Sequence, residues 1–143
     1  MSDTLYTTTA TSTGDGRAGG RAVTDDDLLD VTLAIPRSMG GPGGATNPEQ
    51  LFAAGWSSCF HSALKMVAAQ SKTKLTDSTV SAEVWITKTE SGGLALGGAL
   101  RVHIGGGIDQ AAAENLVAAA HTVCPYSVAT RGNVPVTLTT TVA

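Results

Sequence analysis

Apolar and polar positions along this chain follow two different periods. Leu29, Val31, Leu33 and Ile35 alternate with Asp30, Thr32 and Ala34, a period of two that predicts a half-buried strand, and Pro36 ends it. Val80, Ala82, Val84 and Ile86 repeat the pattern over residues 80–87. Beyond the Ser91-Gly92-Gly93 turn, Leu100, Val102 and Ile104 share one face of a return strand over residues 94–104. Threonine-rich residues 5–13 predict a first strand. Residues 14–20, rich in glycine, predict a turn because glycine tolerates positive φ, and residues 21–24 a short return. Residues 134–142 predict a last strand.

The period changes at Asn47. Asn47-Pro48-Glu49-Gln50 reads as a helix start: Asn47 caps, Pro48 takes the first position, and Gln50 completes a capping box. From Leu51 to about Ala69 the stretch is apolar over most of its circumference, as expected of a helix buried on all sides. In a chain of 143 residues that predicts a central helix enclosed partly by a partner subunit. Asp109 is the expected cap of a second, alanine-driven helix from Gln110 to about Val123. The order β-β-β-α-β-β-α-β predicts a single α+β domain over residues 1–143 with mostly antiparallel sheets.

Composition narrows the classes. Net charge is −3 and charged residues make up 15%, so a nucleic-acid binder held by phosphate contacts is not expected. No apolar run is long enough to span a bilayer, and residues 1–4 carry neither a basic nor an apolar signal region, which points to the cytoplasm. Two cysteines cannot build a secreted disulfide scaffold or close a four-ligand zinc site. His121 and Cys124 stand three apart and can meet, but two ligands make no metal site, so none is expected. There is no Gly-x-Ser-x-Gly elbow, and no Gly-Lys-Ser/Thr follows the Gly40–Gly44 loop.

In a reducing compartment a cysteine pair points to redox chemistry, although a free cysteine is also a common core residue. Four of the six aromatics (Phe52, Trp56, Phe60 and Tyr126) lie within seven residues of Cys59 or Cys124. An apolar pocket suits a greasy substrate but silences a thiol unless a cation offsets the desolvation. Arg17, Arg131 and Lys65 are candidates for that cation, and Glu49 for its counter-ion; spacing does not choose between these roles and plain surface charge. Glu49 and Cys59 are ten positions apart, about 15 Å along a straight helix and roughly 80° around it. Either the helix breaks, near Gly55, or Glu49 of one chain serves Cys59 of another.

Asn47-Pro48-Glu49-Gln50-Leu51-Phe52-Ala53-Ala54-Gly55 leading into Ser58-Cys59-Phe60 resembles the organic hydroperoxide resistance (Ohr) branch of the OsmC/Ohr superfamily. So do Val123-Cys124-Pro125-Tyr126-Ser127 and Ala129-Thr130-Arg131-Gly132-Asn133. The resemblance runs from Leu5 to about Leu138. It implies an intertwined homodimer in which antiparallel sheets wrap central helices, with active sites at the subunit interface. It implies a thiol peroxidase that needs no cofactor and reduces alkyl and fatty-acid hydroperoxides. Cys59 matches the peroxidatic cysteine and Cys124 the resolving one, with a Cys59–Cys124 disulfide between them. Arg17 and Glu49 match the pair that activates the thiolate, Arg21 being a nearby competitor, and Phe52, Trp56, Phe60 and Tyr126 would form the substrate wall. Dihydrolipoamide or a lipoylated protein is the implied reductant. Trp56 stands where tyrosine is common, and His61 where an aliphatic residue is common. A non-catalytic redox sensor and an OsmC-branch peroxidase with a different substrate preference are the alternatives.

Overall fold

The structure, a computed structural model, describes residues 2–143. The chain forms two compact units, the first ending at Leu51 and the second spanning Phe52–Ala143. The first unit is a three-stranded antiparallel sheet in the order β1 (Ala10–Thr13), β2 (Arg21–Thr24), β3 (Asp30–Thr32). Its strands are shorter than the alternation suggests. Ala22 pairs with Val31 and Arg21 with Thr32, but β2 has only four residues to offer, so β3 ends after three. Leu33 and Ala34 are nonetheless buried, and Leu33 bridges to Thr46.

Helix α1 (Pro48–Gln70) starts as the sequence indicates: Asn47 Oδ1 accepts the Gln50 N–H at 2.9 Å. The other half of the box differs, because the Gln50 carboxamide oxygen instead accepts the Thr46 hydroxyl at 2.6 Å. The helix continues unbroken through Gly55. A Cβ there would meet the Tyr126 hydroxyl at 2.9 Å, so this glycine serves a close approach and not a break.

In the second unit, β4 (Ser78–Lys88), β5 (Leu94–Ile104) and β6 (Val136–Val142) form the sheet. β4 and β5 are antiparallel, with Val80 opposite Val102 and Ala82 opposite Leu100. β6, however, runs parallel to β5, the one parallel pairing in otherwise antiparallel sheets, within the expectation of mostly antiparallel ones. The reason is the crossover. Two helices, α2 (Gln110–Val123) and α3 (Pro125–Thr130), separate β5 from β6, and a helical crossover returns the chain in its original direction. Asp109 caps α2 through the Ala112 N–H at 2.8 Å.

The core joins Trp56, Phe60, Leu64 and Val67 of α1 to Leu100, Val102 and Ile104 of β5 and to Leu116, Val117 and Ala120 of α2. Gly97 and Gly98 point to opposite faces of β5, as neighbours in a strand must. Trp56 occupies the space over Gly98 and Trp85 the space over Gly97. Within the single chain α1 keeps an open strip of Ala54, Ser58, Ser62, Lys65 and Met66. No helix among the described residues is long and apolar enough to cross a membrane.

Candidate active site

The first unit supplies a paired cation. Gly14 and Gly16 take positive φ and pass the chain into a single 3-10 turn, Gly16–Ala18. Gly20 closes the turn where a Cβ would collide with the Thr13 carbonyl oxygen. The turn carries Arg17, whose Nη1 and Nη2 donate to Glu49 Oε2 and Oε1, both at 2.7 Å. A fork of this kind matches a carboxylate bidentately. The carboxylate is 14% exposed and the guanidinium 32%. The hydrogen bond from Arg17 holds the Glu49 carboxyl below its usual range against the effect of burial, and the same bond raises the already high Arg17 value. Arg21 makes an equally close fork, 2.7 and 2.6 Å, to Asp30, in the open.

The second unit supplies the thiols. Cys59 and Cys124 are both free; Cys124 is fully buried and Cys59 partly so. The two thiols are close enough to act on one another. Burial pushes the Cys59 thiol up; the Tyr126 N–H beside it pulls the other way, and the neighbouring Cys124 thiol raises it further. Cys124 stands at a corner, as the residue that ends α2 and the residue that opens α3, with extended backbone at φ −60°, ψ 121°. Pro125 fixes the break, because a residue before proline is disfavoured in the helical region.

The four sequence-predicted wall residues divide. Phe52 packs edge-on to both Trp56 and Tyr126, with ring centroids 5.5 and 6.1 Å apart. Phe52 and Tyr126 line a pocket of about 450 Å³ together with Leu96, Pro125, Ala129 and Val134. Trp56 and Phe60 are wholly inside the core and back that wall instead of lining it. Leu96, Ala129 and Val134 escaped sequence reasoning because small and aliphatic side chains carry no signal that separates a pocket wall from ordinary core.

The remaining candidates have other partners. Lys65 donates to the Leu75 carbonyl at 3.2 Å, and Arg131 to the His121 carbonyl at 2.6 Å. His61 bonds the Ser78 hydroxyl at 2.9 Å, and burial, then the charge of Lys65, lowers its pKa. Among the described residues no cluster of three or more His, Cys, Asp and Glu side chains offers a metal site.

Two neighbouring free thiols, one partly and one fully buried, with Pro125 and Tyr126 next to Cys124 lining a mostly apolar pocket, make up the candidate site of this α+β fold. The chain belongs to the OsmC family: the OsmC-like protein model matches residues 41–139. It is 52% identical to the organic hydroperoxide resistance protein of Xanthomonas axonopodis pv. citri, over 94% of both chains. Its fold matches the crystal structure of an organic hydroperoxide resistance protein from Legionella pneumophila with a TM-score of 0.91, at 50% identity, covering 97% of this chain and 99% of that one. The organic hydroperoxide resistance protein OhrB of Bacillus subtilis matches with a TM-score of 0.86, at 43% identity, over 96% and 99%.

Proposed function

We propose that this chain is a thiol peroxidase for organic hydroperoxides, alkyl and fatty-acid hydroperoxides among them. The observation that carries the reading is the proximity of two free thiols of unequal access, with the residues that follow Cys124 lining a mostly apolar pocket. The names of the relatives, which concern resistance to organic hydroperoxides, support it.

The Cys59 thiolate attacks one peroxide oxygen; the O–O bond breaks, an alcohol leaves after protonation, and Cys59 becomes a sulfenic acid. The Cys124 thiol then attacks the Cys59 sulfur, water leaves, and a disulfide forms. A lipoyl dithiol, free or on a protein, is oxidised as it returns both thiols. Burying the alkyl tail against Phe52, Tyr126 and their neighbours gives a preference over hydrogen peroxide at about 25 cal/mol per Å².

Burial alone leaves Cys59 too weakly acidic for this work, and the reaction requires a cation. We assign that role to Arg17, held ready by Glu49. The unbroken course of α1 favours the arrangement in which the Arg17–Glu49 pair of one protomer serves Cys59 of the other. The active form is then a homodimer of the whole chain, and a cytoplasmic setting keeps its thiols reduced.

The test is steady-state turnover of cumene hydroperoxide with dihydrolipoamide, alongside non-reducing mass analysis after one equivalent of peroxide. Multiple turnovers and loss of two hydrogens are expected. A single oxidation without turnover would mark a sensor instead, and no oxidation would refute the reading.

A further inference from the structure

The corner that carries Cys124 is closed by a side chain seven residues further on. The Nη2 of Arg131 donates to the carbonyl of His121 at 2.6 Å, so residues 121–131 form a loop with Cys124 inside it. His121 lies in the last turn of α2, where carbonyls lack intrahelical partners and a positive charge is favoured. Arg131 is also the residue that ends α3, its own N–H bonding the Ser127 carbonyl at 3.1 Å. Further bonds stiffen the loop. The Cys124 N–H donates to the Ala120 carbonyl and the Val128 N–H to the Cys124 carbonyl, each at 2.9 Å; the Thr130 hydroxyl donates to the Tyr126 carbonyl at 2.9 Å. Arg131 alone ties the end of α3 back to α2 through a side chain. The His121 ring stands 6.4 Å from that of Phe60, one turn along α1 from Trp56, and so carries the end of α2 against the core.

We propose that Arg131 is a positioning residue for Cys124. Its clamp on the α2–α3 corner sets how fast Cys124 closes on oxidised Cys59. This rests on the thiol chemistry proposed above. A Cys59 sulfenic acid has two fates. Attack by Cys124 gives the disulfide and water. Attack on a second hydroperoxide gives a sulfinic acid and an alcohol. The first is intramolecular and depends on placement; the second depends only on peroxide concentration. Loosening the corner therefore shifts the ratio between them by more than it changes the first oxidation, in which Cys124 takes no part.

The experiment compares wild type, Arg131→Gln and Arg131→Lys at rising excess of cumene hydroperoxide, reading disulfide and sulfinic acid by mass. Arg131→Gln is expected to raise the sulfinic fraction several-fold to about ten-fold, the scale of one charge-assisted hydrogen bond. Consumption of the first equivalent should change less than that fraction, and Arg131→Lys, which can still reach a carbonyl, should restore part of the wild-type ratio. An unchanged ratio in Arg131→Gln, or an equal fall in the first step, would overturn the proposal. Diamide, which oxidises dithiols without peroxide, separates the two readings. If hydroperoxide leaves wild-type Cys59 reduced while diamide closes the bond more slowly in Arg131→Gln, the peroxidase reading fails and the clamp stands. If diamide closes it equally fast in both, the clamp fails.

Discussion

Cys59 and Cys124 are neighbours in the fold, yet their surroundings differ in almost every respect. Cys59 sits in the middle of a 23-residue helix and is only partly buried. Cys124 sits where two helices meet, completely enclosed, its backbone bonded on both sides. In the proposed mechanism access separates their roles: a molecule from solution meets the less buried sulfur, and the enclosed one meets its neighbour. Chemical type does not distinguish them, since both are free thiols.

The sharpest way to break that comparison is to remove each sulfur in turn. Cys59→Ser is expected to abolish peroxide consumption, because a hydroxyl at this site is not ionised and is a far weaker nucleophile. Cys124→Ser should still consume one equivalent and then stall or pass to sulfinic acid. Peroxide consumption and intact mass check both. Equal behaviour of the two variants would erase the division of roles.

Access also predicts which sulfur the reductant attacks. A monothiol added to the oxidised protein should be found on Cys59, releasing Cys124 as the leaving thiolate. Peptide mapping of the trapped mixed disulfide reads the position directly. An adduct on Cys124 would mean that the corner opens before reduction.

How far all this was legible depends on how local the signal is. Asn47-Pro48-Glu49-Gln50 announced α1 because a cap is made by adjacent residues, and Asp109 announced α2 for the same reason. Helix α3 was not legible: six residues span less than two turns and show no period. The direction of β6 depends on the crossover before it, and residues 136–142 alternate identically either way. The thiol pair was legible as a motif, but the nearness of two cysteines 65 positions apart belongs to the fold. Gly55 was ambiguous because a helical glycine can mark either a break or a close approach, and only the Tyr126 ring decides between them.

A smaller effect is expected from Arg17→Gln. A positive charge near a thiol favours the thiolate and lowers its pKa, and burial raises it. Removing the charge should leave Cys59 to burial, with an alkylation midpoint above the ordinary value of about 8.5. At pH 7 its rate of alkylation should then fall by roughly ten-fold for each unit of upward shift. Glu49 should add no acid limb near neutral pH, because its carboxyl is held below the usual range. The stability its pairing gives is present above the ordinary carboxyl pKa and is lost as pH falls through the lowered one. The pH profile of iodoacetamide labelling checks these points, and an unchanged midpoint in Arg17→Gln would remove the arginine from the site.

The smallest effect is expected four residues away, at Arg21→Gln. Arg21 and Asp30 form a fork as short as that of Arg17 and Glu49, and Arg21 lowers the Asp30 pKa in the same sense. The pairs differ in exposure: 57% and 41% for Arg21 and Asp30, against 32% and 14% for Arg17 and Glu49. Water screens an exposed pair, so geometry of this quality contributes little there. Arg21→Gln should therefore leave the thiol pH profile and peroxide turnover at wild-type values, with at most a slight change in melting temperature. If it shifts the Cys59 midpoint as far as Arg17→Gln does, then burial is not what separates the two arginines, and the activating cation has to be reassigned.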